Sequence, residues 1–182
     1  MNEVLKAIHD RRSSRAYKQD KLTKEQIDTL TDAAFATPSA SNRQPWHVTV
    51  VTDGAVIEAM VEGYNEWHRE NGTLTPEIEA RHNFYHAPAV FVVSSQTEFF
   101  RYAANDIGAM AQTLCLAAHS MGLGTCIVWN VLPAFQSKKR DELIKALGIP
   151  EGYEPYTTVA VGYHDGEMPE AKPRDKTKIN YV

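Results

Sequence analysis

Apolar residues recur along this chain at two spacings, one helical and one alternating, and their limits divide it into short elements. Val4, Leu5 and Ile8 share one face of a helix predicted over 2–10. Thr23-Lys24-Glu25-Gln26 has the capping-box spacing, with Leu22 as the staple before it. Ile27, Leu30, Ala34 and Phe35 continue a helical stripe that ends before Pro38. After the polar stretch 39–44, Trp46, Val48 and Val50 alternate with His47, Thr49 and Val51, which predicts a strand stopped by Asp53-Gly54. Residues 55–70 return to helical spacing through Val56, Met60, Tyr64 and Trp67, and Asn71-Gly72 reads as a turn.

A short helix is predicted over 76–86, leading to Ala89-Val90-Phe91-Val92-Val93, an unbroken apolar run typical of a strand covered on both faces. Residues 103–121 form the most apolar helix, with Ile107, Met110, Leu114 and Met121. Asp106, Gln112 and His119 interrupt it, which marks a core helix and not a membrane span. Gly122 ends it in the manner of a C-terminal cap. A strand is expected over 124–129, a helix over 136–147 closed by Gly148, and a last central strand over 157–161. From His164 onward the chain is a polar tail without periodicity. Helices separate the strands, no linker divides the chain and no repeat appears. One domain over 1–182, with a mixed sheet covered by helices on both faces and 164–182 as a C-terminal extension, is the expectation.

Composition narrows the classes. A 182-residue chain with 43% hydrophobic residues is neither disordered nor low in complexity. Cys115 and Cys126 cannot build a disulfide framework, and no basic and apolar signal segment opens the sequence. A reducing, cytoplasmic setting is therefore expected. The formal net charge of −4 argues against a general nucleic-acid binder. That charge is unevenly spread: residues 1–24 hold seven Lys/Arg against three acids, and 172–178 hold Lys172, Arg174, Lys176 and Lys178 against Asp175. Two basic ends on an acidic body are either two solvated termini or, where they converge, an anion site.

Missing motifs exclude several chemistries. Gly122-Leu123-Gly124 lacks the third glycine of a dinucleotide fingerprint and precedes a strand, and there is no phosphate-loop, zincin or nucleophile-elbow motif. His82 and His86 stand four apart, but a third ligand with recognisable spacing is missing, so no metal site is expected. The cysteines read as small core residues. More informative is Arg11-Arg12-Ser13-Ser14-Arg15, three guanidinium groups and two hydroxyls just after a helix, a set suited to phosphate. A second segment, Thr37 to Trp46, offers small residues and two amides able to approach a flat polar ring, although alone it reads as an ordinary loop.

Taken in order, these segments resemble the FMN-dependent nitroreductase family across nearly the whole chain. The shared pattern is Arg-Arg/His-Ser-x-Arg/Lys at Arg11 to Arg15, then Pro-Ser-x-x-Asn-x-Gln-Pro-Trp from Pro38 to Trp46. Ala87-Pro88 comes next at the entry to an apolar strand, then Gly-Leu-Gly-Thr at Gly122 to Thr125, then Gly162-Tyr163 before a basic tail. The resemblance implies an α+β fold with a mixed, mainly antiparallel central sheet flanked by helices. It implies a homodimer with FMN at the subunit interface, reduced by NAD(P)H and oxidised by a small electron-poor acceptor such as a nitroaromatic or quinone, in ping-pong order. No nucleic acid and no membrane take part.

By the same resemblance, Arg11, Arg12, Ser13 and Arg15 of one chain, joined by Lys172 and Arg174 of its tail, hold the phosphate and ring edge. Pro38, Ser39, Ala40 and Asn42 of the partner line the flavin, and Ile127, Trp129 and Asn130 supply main-chain contacts near its reactive edge. The flavin carries the chemistry, so no side chain is an obligatory acid or base. The chain departs from the family at Ala40, where many members have a second Ser, and at His82 and Asn83, where many have a ring-edge Lys. Only Ser94 to Tyr102 separates strand from long helix, so a small lid is expected. The alternatives are a flavoprotein of the same fold acting on an enone or halogenated aromatic, and a redox-inactive flavin-binding module.

Overall fold

The computed structural model describes residues 1–182 apart from the side chains of Phe99 and Phe100. The first helix, α1 (Glu3–Asp10), starts where the Asn2 side chain accepts the Leu5 N–H. Its Val4, Leu5 and Ile8 face is exposed, at 65%, 47% and 48%. The capping box forms as the spacing predicts: Thr23 and Gln26 satisfy each other's backbone N–H groups at the start of α2 (Lys24–Phe35). β1 (Trp46–Val51) comes next, then α3 (Gly54–Glu70), capped by Asp53.

The predicted 76–86 helix is cut to α4 (Pro76–Glu79), with Pro76 in its first turn and Thr75 as cap. The core explains the break. Phe84 is fully buried, and Tyr85 and His86 take left-handed φ of 55° and 57° to turn the chain into β2 (Ala89–Gln96). α5 (Phe100–Ser120) begins three residues before the apolar run, and β3 (Gly124–Val128) releases Trp129 at its end. The 136–147 helix divides into a 3₁₀ segment, Leu132–Gln136, and α6 (Arg140–Ala146). Ser137 separates them with its hydroxyl donating to Ala134 O and accepting the Lys139 N–H. β4 (Tyr153–Gly162) is twice the predicted length.

The sheet order is β1-β2-β4-β3, antiparallel between every pair. The parallel component of the expected mixed sheet is one isolated bridge, Ser13 to Thr125. β2 and β4 are central. Their register shifts between Val93 and Ser94, so Val93 faces Thr157 while Ser94 faces Pro155 and Tyr156 is the extra residue. Pro155 cannot donate to a ladder and sits beside this bulge, which is why the run 157–161 reads as the whole strand in sequence. Alternate strand residues serve two cores. Val90, Val92, Val128 and Ala160 pack with Met60, Tyr64, Phe135 and Leu143 under α3 and α6. Phe91, Val93, Val159 and Val161 pack with Leu30, Ile107, Met110 and Leu114 under α2 and α5. Among the described residues, no helix is long and apolar enough to cross a membrane.

One ionic knot ties α3 to the turn that precedes α6. The buried Glu66 carboxylate pairs with Arg69 and Lys138, and Glu70 accepts the Lys138 N–H at 3.0 Å. The Lys138 hydrogen bond, then that from Arg69, holds the Glu66 carboxyl below the usual carboxylate range, against the opposing pull of desolvation. A carboxyl depressed by folding adds stability above its unfolded pKa and loses it as pH falls through the folded one. Glu66→Gln should therefore lower the melting temperature at pH 7. The gap from the native chain should close on acidification through and below about pH 4. Thermal scans from pH 7 to pH 3 check this; a gap that does not change with pH would refute it.

Candidate functional site

The basic head segment lies on the open edge of the sheet. α1 ends at Arg11, whose φ of −56° and ψ of 130° send the chain into extended backbone. The Ser14 N–H then donates to Thr125 O at 2.8 Å, and Ser13 bridges the same strand in parallel. In an antiparallel pair, a residue's N–H and C=O point to the same side and alternate along the strand. Thr125 O therefore points away from β4, and Ile127, two residues on, presents its main chain to that same open side. Val128 obeys the rule in reverse, its carbonyl accepting the Thr158 hydroxyl of β4.

Arg11 and Arg15 run beside this strand, near enough to Cys126 for both to favour its thiolate. Burial still pushes the Cys126 thiol up, and Cys115 likewise, so both are protonated core residues. Arg12 behaves differently: its Nη1 donates to His9 O at 2.6 Å and Arg11 O at 2.8 Å, closing the end of α1. Trp129 is 61% exposed just past β3, and Asn130 is exposed beside it.

The second predicted segment is equally well held, but elsewhere. Pro38 and Ser39 lead into the turn Ala40–Asn42, where Ser41, Asn42 and Gln44 adopt φ of 54°, 52° and 48°. Left-handed backbone without glycine is costly and persists only where neighbours enforce it. Here Ser39 Oγ accepts the Gln44 N–H at 2.9 Å, and Asn42 Oδ1 accepts Gln44 Nε2 at 3.0 Å. The Ala40 N–H donates to both oxygens of Asp106, at 3.1 and 3.3 Å. In sequence Asp106 only interrupts an apolar helix; in the fold it is a buried acceptor pinning a loop 66 residues away.

The two segments do not meet within one chain. Pro38, Ser39, Ala40 and Asn42 precede β1, while Arg11, Ser13, Arg15 and Ile127 flank β3 at the opposite edge. Three inter-strand spacings, about 14 Å, separate those edges, and both sheet faces are covered by helices. Lys172 and Arg174 lie in the exposed extension. Among the described residues, the hydrogen bonds and ion pairs beyond Gly166 stay within the tail, where Asp175 accepts from the Thr177 N–H and hydroxyl and pairs with Lys178.

The ring-edge position resolves into something the sequence does not show. Asn83 is fully enclosed, with both side-chain polar atoms shielded, so it presents nothing to a ligand. Arg81 instead shares with Arg15, Tyr17 and His86 a cavity of about 480 Å³. The His82 and His86 rings lie 4.0 Å apart between centroids and tilted by 39° although no helix joins them, and Glu58 lies in reach of both. His82 Nδ1 accepts the His86 N–H at 3.1 Å, so the ring proton belongs on Nε2, which faces Glu58 Oε1 at 3.1 Å. A metal at Nε2 would have to displace that proton and break a charge-assisted bond. Burial, then the neighbouring His86, lowers the His82 pKa against the pull of Glu58, so the ring is neutral at pH 7.

The Asp106 pin predicts a measurable loss. Asp106→Ala leaves the Ala40 N–H without its acceptor and should cost about 1.5–3 kcal/mol in chemical denaturation. Asp106→Asn, which keeps an acceptor oxygen, should lose less than half as much. Equal stability for all three chains would show that the pin does not hold the loop.

The chain matches the model of the Nitroreductase family over residues 8–163. It is 30% identical over 189 residues to an NADPH-flavin oxidoreductase of Vibrio harveyi, covering 96% of this chain and 70% of that one. A solved nitroreductase with bound FMN from Desulfitobacterium hafniense superposes with a TM-score of 0.90 at 32% identity, covering 100% of this chain and 99% of that one. A second, with bound FMN from Bacteroides fragilis, gives 0.89 at 26% identity and covers all of both chains. The match at residues 8–163 takes in both loop segments and all four strands, and the chain belongs to the Nitroreductase family.

Proposed function

We propose that this protein is an FMN-dependent oxidoreductase that uses NAD(P)H to reduce a small electron-poor acceptor such as a nitroaromatic or quinone. The observation that carries the reading is the open edge of β3, where the Ile127 main chain faces outward, Ser13 bridges Thr125, and Arg11 and Arg15 flank Ser13 and lie near enough to Cys126 to favour its thiolate. That donor set fits FMN. Arginine forks and the Ser13 hydroxyl suit a phosphate carrying close to two negative charges. A main-chain group on an edge strand can meet a ring edge whatever its side chain. FMN supplies the hydride chemistry when bound, and the protein binds, orients and tunes it. Arg15, with Arg81 across the shared cavity, would offset negative charge at the ring. Lys172 and Arg174 would add cations to the phosphate. Trp129 and Asn130, exposed at the end of β3, would border the reactive edge.

A complete site on this reading needs two chains. Pro38, Ser39, Ala40 and Asn42 reach a flavin at β3 only from a partner, because their own β3 lies at the other edge of the sheet. A two-fold dimer would build two such sites from one contact patch. The exposed Val4, Leu5 and Ile8 face of α1 gives a second copy apolar surface to cover. The setting would be cytoplasmic. Donor and acceptor visiting one pocket in turn would give ping-pong kinetics.

Purified protein should take up FMN and turn yellow, then bleach under anaerobic conditions with NADH or NADPH and recover colour with a quinone. Bound FMN that neither donor bleaches would favour the redox-inactive alternative; protein that takes up none would end the flavin reading. Double-reciprocal plots across donor and acceptor series should be parallel, and intersecting lines would refute the shared pocket.

Arg11→Ala should weaken FMN binding by roughly 10- to 100-fold, as expected for loss of a charge-assisted phosphate contact. Truncation before Lys172 should weaken it in the same direction. Unchanged FMN retention would remove either assignment. Light scattering should give twice the mass of the 20.4 kDa chain, and a monomer that binds FMN tightly would refute the two-chain site.

A further inference from the structure

Ser14 falls at the position the Arg-Arg-Ser-x-Arg pattern leaves open, yet it is fully buried. Its Oγ shares a hydrogen bond with His164 Nδ1 at 2.6 Å and lies 3.1 Å from Ala16 O, which only accepts. When the hydroxyl proton goes to Ala16 O, His164 must donate its Nδ1–H to Ser14; otherwise the hydroxyl donates to Nδ1. The pair closes directly over Gly124, the first residue of β3. A Cβ there would come within 2.8 Å of Ser14 Cβ and Oγ and 3.3 Å of His164 Cβ, so only glycine lets these segments approach.

Three further bonds run alongside. Lys18 N–H donates to Tyr163 O at 2.9 Å, Asp165 N–H to Ala16 O at 3.1 Å, and the Tyr17 hydroxyl to Ser14 O at 3.0 Å. Burial raises the Tyr17 pKa, so that hydroxyl is always a donor. His164 Nε2 is buried without a hydrogen-bond partner among the described residues, so the ring's one polar anchor there is Ser14.

We propose that Ser14 and His164 form a clasp that fixes the basic head segment against the root of the basic tail, and so sets the spacing of the phosphate-binding cations. The clasp's role in binding rests on the proposed flavin function. Neither residue is placed against the cofactor; both act through others. Ser14 sits between Ser13 and Arg15, so its anchorage decides where their side chains start. His164 and Asp165 are the last residues before the tail that bond to the body, and an extended chain from His164 to Lys172 spans at most about 27 Å. A tail of that reach delivers Lys172 and Arg174 to one place only when its starting point and direction are fixed. The sequence separation of 150 residues explains why the pair is invisible to motif spacing.

The test compares Ser14→Ala, His164→Leu, the double variant and His164→Asn with the native chain, using FMN as the probe. Either single loss should raise the FMN Kd roughly tenfold, as for one buried hydrogen bond whose partner is left unsatisfied. The double variant should be no weaker than the worse single variant, because the two act as one unit. His164→Asn, whose amide can replace Nδ1, should recover most of the affinity. The loss should appear in Kd and not in kcat at saturating FMN. In flavin-free protein, hydrogen exchange at the Ser14, Lys18 and Asp165 amides should quicken in Ser14→Ala and His164→Leu and return towards native in His164→Asn.

Native FMN affinity in the single variants, losses that simply add, or unchanged exchange would each overturn the clasp. Failure of the native chain to take up FMN would instead overturn the flavin reading, and the exchange measurement would still decide whether the clasp holds head to tail.

Discussion

An edge strand presents a row of unpaired amide and carbonyl groups, and a fold must either cover them or use them. β3 has both treatments within five residues. Its Thr125 carbonyl is met by the Ser14 N–H, while two residues further the Ile127 main chain faces the same side with no strand beside it. That short contact governs the layout of the site. It draws the end of α1 onto the sheet, sets Arg11 and Arg15 along β3, and leaves the strand's second half open beside them. A longer pairing would have consumed the open edge; none at all would have left the arginines on a solvated terminus.

The two anchors of the site differ in kind. The head segment is held by backbone pairing, which fixes direction but lets side chains vary. The loop before β1 is held by side chains, with Asp106, Ser39 and Asn42 supplying the acceptors that make three left-handed residues tolerable. Such backbone strain is stable only when several bonds enforce it. Those bonds tie the loop to α5 and to its own turn, and so give it a defined shape within the single chain.

How much of this the sequence reveals depends on the range of each interaction. Local rules are legible. The capping box at Thr23, the stripe from Ile27 to Phe35 and the alternation from Trp46 to Val50 all appear where their spacing places them. The failures lie where tertiary contacts outweigh local preference. Phe84 enters the core and truncates a helix that its neighbours would otherwise extend. A bulge at Tyr156 carries β4 past Pro155, a residue that locally signals a break. In the site, the motifs mark Arg11 to Arg15 and Pro38 to Trp46, but not their supports. Asp106 and Ala40, or Ser14 and His164, are joined only by folding, as are Arg81 and Arg15, which line one cavity from segments 66 residues apart. The single-chain structure also separates what motif order lists side by side, since β1 and β3 are opposite edges of one sheet.

That separation has a thermodynamic consequence on the proposed reading. A cofactor bound between the β3 edge of one chain and the β1 loop of another binds the assembled pair and neither chain alone. Whatever binds only the assembled state stabilises it by mass action, so cofactor affinity and dimer stability become one linked quantity. The exposed apolar face of α1 immediately precedes Arg11, so the surface offered to a second copy and the cations offered to the phosphate are consecutive along the chain. Burying Val4, Leu5 and Ile8 against a partner would also fix the position from which Arg11 departs. On that reading the amphipathic helix and the basic cluster beyond it would work as one device, in which covering an apolar face orders a charged one.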